Sequence, residues 1–248
     1  MKKLAYIYLI ILLFSCNSEN ANDCFKATGA IVQQEVTVPS FDKILVNRDI
    51  ELIIKDGLEQ EVTIETGKNL LNDVQAVVLD GKLILTDNNT CNYVRKYGVT
   101  KVYVTAPNIT EIRSSTQYDV RSDGVLTYPS LTVLSDDYDD ANAFTSGDFR
   151  LQIDNKVFTL AFNNLSNCYI SGKTINLNIT LAAGTSRFEG ANLIAQDISF
   201  WNRSSNDMIV NPQNYIYGQI YGTGNVIAVT RPPTVVVQTF YKGRLIFN

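Results

Sequence analysis

Phe162-Asn163-Asn164-Leu165-Ser166-Asn167 aligns with Leu181-Ala182-Ala183-Gly184-Thr185-Ser186, and then with Trp201-Asn202-Arg203-Ser204-Ser205-Asn206. Tyr221-Gly222-Thr223-Gly224-Asn225 and Tyr241-Lys242-Gly243-Arg244 extend the series. The leading residues step by 19, 20, 20 and 20. Upstream, Arg113-Ser114-Ser115-Thr116 and Leu134-Ser135-Asp136-Asp137 continue it at a step of 21, and a longer step of 28 holds an inserted turn around Thr145-Ser146-Gly147. Apolar strands followed by small polar corners at a period of about 20 are the mark of a β-solenoid. One coil cannot bury its apolar side alone, so stacked coils must share a continuous core. The spacing therefore predicts a solenoid over residues 108–248, with strands pairing in parallel between coils. A β-sandwich whose hairpins fall every 20 residues is the alternative.

The composition agrees with an all-β chain. Val, Ile and Thr number 22, 23 and 21 among 248 residues, and β-branched side chains suit a pleated, half-buried surface. Asn occurs 24 times and favours turns. There is no His, which excludes Ser-His-Asp and Cys-His nucleophiles and His-ligated zinc. The formal net charge is −4, so no attraction to nucleic acid is expected. No cofactor is expected either.

Residues 29–107 alternate without the repeat. Strands are expected at Ile31 to Val38, Phe41 to Val46, Ile50 to Ile54, Glu61 to Thr66, Val74 to Leu79, Lys82 to Thr86 and Thr100 to Thr105. Asp80-Gly81 between two alternating runs is a hairpin signal. Lys68 to Asp73 is the stretch that reads as a helical turn. At the N-terminus, Lys2 and Lys3 precede an apolar run of 11 residues, Leu4 to Phe14. That is too short to span a bilayer but fits the apolar core of a signal peptide. Leu13-Phe14-Ser15-Cys16 then resembles a bacterial lipoprotein lipobox, which implies cleavage after residue 15 and lipidation of Cys16. Residues 16–28 read as a lipidated tether. Cys24 and Cys91 lie in polar segments and could pair, whereas Cys168 reads as a small buried residue.

With these segments in place, the chain resembles the bacterial auto-transporter adhesin head, or GIN, domain family. The resemblance rests on Val36-Thr37-Val38-Pro39-Ser40-Phe41, the Ile50-to-Ile54 strand ending in Asp56-Gly57, Asp80-Gly81-Lys82-Leu83, Val102-Tyr103-Val104-Thr105-Ala106-Pro107, and the repeated corners down to Tyr221-Gly222-Thr223-Gly224-Asn225-Val226. It covers roughly residues 29–248. It implies an all-β right-handed parallel β-helix, preceded by an N-terminal β region at 29–107, on the cell envelope. For an exported lipoprotein the expected place is the outer membrane.

Three sets of residues carry candidate chemistry. Trp201, Tyr221 and Tyr241 share one repeat position, and on consecutive coils would lie about 4.8 Å apart. Exposed, such a column is a platform for glycan or protein ligands; buried, it is solenoid packing. Asp136, Asp137, Asp139 and Asp140 crowd four carboxylates into five residues, which suits either a solvated corner or Ca²⁺. Their spacing lacks the Gly and distal Glu of an EF-hand, so no metal is assigned. Asp136, Asp137, Arg150 and Lys156 are the residues that a polysaccharide-cleaving β-helix enzyme would need together. No spacing demands it, so the expectation is a non-enzymatic binding module, with a structural or assembly component of the envelope as the second reading.

Overall fold

The computed structural model describes residues 22–138 and 140–248. The strands are β1 (Ile31–Glu35), β2 (Lys43–Asn47), β3 (Ile50–Asp56), β4 (Glu61–Gly67), β5 (Val74–Leu79), β6 (Lys82–Asp87), β7 (Thr100–Ala106), β8 (Glu111–Ser115) and β9 (Val120–Leu126). They continue with β10 (Ser130–Ser135), β11 (Phe149–Phe162), β12 (Cys168–Leu181), β13 (Phe188–Asn202), β14 (Met208–Ile220), β15 (Val226–Ala228), β16 (Thr234–Thr239) and β17 (Leu245–Phe247). Helix among the described residues is confined to the 3-10 turns Asp23–Phe25 and Leu71–Asp73. The second of these lies within the stretch whose sequence reads as a helical turn.

All these strands join one mixed sheet. From β8 to β17 every pairing is parallel, as the period of 20 requires. The sheet as a whole is not purely parallel, because β1–β4, β4–β7 and β5–β6 are antiparallel. The cause of one of these is local: Asp80 and Gly81 both take positive φ, 50° and 74°, which turns β5 straight back into β6. The sheet also runs unbroken across residue 107, because β2 pairs with β8 and β3 with β9.

The long strands β11 to β14 each serve two ladders. Residues 149–153 of β11 pair with β9, while residues 157–162 pair with β10. Inward side chains from both ladders build one core. In the first ladder Leu52, Val120, Phe149, Cys168, Phe188, Met208 and Val226 follow one another in register, all fully buried. In the second, Val133, Leu160, Ile179, Phe200 and Gly218 follow one another in register and are buried. Cys168 therefore sits between two phenylalanines, and burial pushes its thiol pKa up.

The Asn- and Ser-rich corners have a bonding reason. Asp148 Oδ1 accepts from the backbone N–H of Asn167, and Asn167 Oδ1 accepts from that of Arg187. Asp207 and Asn225 repeat the relay to Asn225 and Arg244. Short carbonyl-bearing side chains thus satisfy turn amides that the ladder cannot reach.

The N-terminal segment is fixed to the end of the stack that carries the antiparallel strands. Cys24 and Cys91 form a disulfide. Lys26 is buried and its Nζ lies 2.7 Å from Asp73 and 3.0 Å from Asp23. Arg95 Nη1 donates to the carbonyl of Asp23 at 2.6 Å.

Candidate functional site

Alternation decides which side chains can meet a ligand. In the second ladder Phe200 and Asn202 point inward, so Trp201 between them points out and is half-buried. The core reading of the aromatic column fails at this residue. The shared repeat position of Trp201, Tyr221 and Tyr241 is not kept either. Trp201 pairs with Gln219, and Gln219 with Gln238. The drift comes from register slips: Leu181 pairs with Asn202, but Asn202 pairs with Ile220, an offset of 21 residues (181 to 202) followed by one of 18 (202 to 220).

An aromatic column forms nonetheless, with Phe240 in place of Tyr241. Trp201 and Tyr221 have ring centroids 5.7 Å apart, tilted by 57°. Tyr221 and Phe240 stack at 4.5 Å and 4°. Both are exposed, Tyr221 by 38% and Phe240 by 54%. Stacked rings at this distance gain more than area burial alone, which explains why they hold together in water. The Arg203 guanidinium lies 5.7 Å from the Trp201 ring centroid. Gln219 accepts from the Tyr221 hydroxyl at 3.3 Å and donates to Gln238 at 3.2 Å. Tyr241 is exposed and carries Lys242 over its ring at 5.7 Å instead. The result is an exposed apolar stripe edged by amides and a guanidinium.

The acidic corner is divided among protein partners. Asp136 lies 2.8 Å from Arg113 Nη1. Asp137 accepts from Asn163 at 2.5 Å and Asn164 at 3.2 Å, and Asp140 accepts from the backbone N–H of Asn142 at 2.9 Å. Asp139 lies outside the described residues, as do Cys16 and the signal segment 1–15. Among the described residues no group of three or more Asp, Glu or Cys is placed to hold a metal ion. The acids and bases of a polysaccharide-cleaving site are not brought together. Arg150 and Lys156 line different grooves, and Asp136 and Asp137 line neither.

The Arg150 groove escapes sequence reading. It measures about 540 Å³ and lies on the outer side of the first ladder. Arg121, Arg150, Tyr169 and Glu189 are in register along it. The Arg150 guanidinium covers the Tyr169 ring at 4.4 Å and pairs with Asp119 at 2.7 Å, a bond that raises the arginine's pKa further.

The sequence profile described as "Putative auto-transporter adhesin, head GIN domain" matches residues 40–232. The chain belongs to this family. Solved structures from Bacteroides fragilis and Parabacteroides distasonis share its fold. A putative adhesin from Bacteroides fragilis is 16% identical, with a TM-score of 0.79, and the match covers 90% of this chain and 99% of that one. A putative adhesin from Parabacteroides distasonis is 13% identical, with a TM-score of 0.62 over 89% and 98% of the two chains. A protein from the same organism titled a putative lipid binding protein is 12% identical, with a TM-score of 0.57 over 89% and 98%. No curated protein matches the sequence. Among the described residues no helix is long and apolar enough to cross a membrane.

Proposed function

We propose that this GIN-domain protein is an exported lipoprotein of the bacterial envelope that binds glycan or protein ligands through its outward aromatic column, without catalysis. The single observation that carries this reading is the stacked, exposed Tyr221–Phe240 pair beside Trp201, edged by the amides of Gln219 and Gln238. Flat apolar faces flanked by amides suit both sugar rings and peptide groups. The family's description as an adhesin head supports binding.

In this reading residues 1–15 are removed, Cys16 carries the lipid in the outer membrane, and the remainder winds as a right-handed β-helix. The eight residue-to-residue steps from Cys16 to Cys24 reach at most roughly 30 Å. The disulfide and Lys26 then hold the antiparallel end of the stack near the membrane, while β13, β14 and β16 carry the column at the other end. Three rings at about 1 kcal/mol each give only millimolar-range affinity. Many anchored copies would supply the avidity that adhesion needs.

An assembly role is the second reading. It is favoured by β16, which pairs only with β14 among the described residues and leaves Val236 46% exposed. Glycan and extracellular-protein arrays probed with the full chain, and with a Trp201→Ala/Tyr221→Ala double variant, test the binding reading. A signal lost in the double variant supports it; absence of any signal, or one the variant retains, refutes it.

A further inference from the structure

The register slips that bring Trp201 opposite Gln219 begin on the first ladder. Between Arg150 and Gln152, β11 slips against β9; between Tyr169 and Ser171, β12 slips against β13; and between Glu189 and Ile194, β13 slips against β14. Each slip leaves extra residues on one strand, which bulge out of the ladder. Bulges of this kind re-aim side chains and recur beside binding sites. Here they fall side by side, and the groove of about 540 Å³ lies over them.

The charges in the groove are already neutralised by protein partners. Arg121 lies 2.7 Å from Glu51, Arg150 is held by Asp119 at 2.7 Å and Asp148 at 3.5 Å, and Glu189 pairs with Arg187. An anionic ligand would have to displace one of these carboxylates. The side chains of Gln152, Ser171 and Asn192, by contrast, make no hydrogen bond among the described residues, and all three line the groove. Gln152 and Asn192 are exposed. Beside them stands the Tyr169 ring, stiffened by the guanidinium over it.

We propose that this groove is a second ligand site, separate from the aromatic column, and that it takes a neutral oligosaccharide. Two amides and a hydroxyl can donate to and accept from sugar hydroxyls, and the ring offers apolar contact to the C–H face of a pyranose. The balanced ion pairs hold the wall rigid and give no net charge for an acidic sugar to meet.

The test is ligand-observed NMR titration of the full chain in detergent with maltopentaose, cellopentaose, laminaripentaose and the anionic pentagalacturonate. At least one neutral pentasaccharide should bind with a millimolar-range Kd. Asn192→Ala and Gln152→Ala, both at exposed positions, should each weaken it about threefold or more, and Tyr169→Ala about fivefold. Trp201→Ala should leave the titration unchanged, which separates this site from the column. The proposal is overturned if no neutral probe binds at about 10 mM, if pentagalacturonate alone binds, or if Asn192→Ala and Gln152→Ala both titrate like the parent chain.

Discussion

Replacing Gly218 by Ala tests how tightly β13 and β14 meet. Gly218 pairs with Phe200 and with Val237 and points into the core. A Cβ built there would lie 2.6 Å from three atoms of the Phe200 ring, closer than any relaxed contact. Phe200 is itself buried, so it has little room to yield. Overpacking of this kind costs about 1–3 kcal/mol. Alanine would recover about 0.4–1 kcal/mol by restricting the unfolded chain. The net expectation is a loss of about 1–2 kcal/mol in urea unfolding, with the slope of the transition unchanged. A double-mutant cycle identifies the cause. In a Phe200→Leu background the ring is gone, so Gly218→Ala should be neutral or stabilising, giving a coupling of about 1–2 kcal/mol. If Gly218→Ala is as stable as the parent, or equally costly in both backgrounds, the stacking of β13 on β14 described above is wrong.

Reducing Cys24–Cys91, or changing both to Ser, should cost roughly 4 kcal/mol on the loop-entropy model for a separation of 67 residues, read as a lowered Tm. Lys26 gives a pH dependence. Burial alone would lower its pKa, but hydrogen bonds to Asp73 and Asp23 outweigh that and raise it. Its stabilisation should be fully present below about pH 10.4 and be lost as pH rises through the higher folded value; Lys26→Met should cost about 1–3 kcal/mol at neutral pH and abolish that alkaline component. Cys168 should resist a thiol-specific reagent at neutral pH in the folded chain and react once the chain is unfolded in urea, because its column is closed to water. Cys16→Ala should leave an unprocessed precursor or release the protein from the membrane fraction; mature, membrane-bound Cys16→Ala protein would refute lipidation.

Legibility in the sequence followed how local each signal is. Asp80-Gly81 forces its turn through the φ values of two residues, so the β5–β6 hairpin is readable without any neighbour. The polar corners are readable for a similar reason, since Asp148, Asn167 and Asn225 each bond the amide of a following turn at a nearly constant spacing. Register is a different matter. Whether Gly190 to Leu193 bulges depends on how β13 meets both β12 and β14, and nothing within those four residues announces it. The same slips pair Trp201 with Gln219 and underlie the groove beside Arg150, whereas the third ring is Phe240 because β16 meets β14 at a constant offset of 19 residues (215 to 234). The parallel union of β2 with β8 and β3 with β9 was likewise hidden, because the insert between them carries hairpin signals of its own.

Trp201 is the single tryptophan of the chain, so its fluorescence reports the column directly. The most direct measurement is iodide quenching of its emission, with and without a ligand identified on the arrays. An outward, ligand-contacting column requires emission toward the red, quenching by iodide in the free protein, and protection when the ligand is bound. Blue-shifted emission closed to iodide, or quenching that the ligand leaves unchanged, would contradict it.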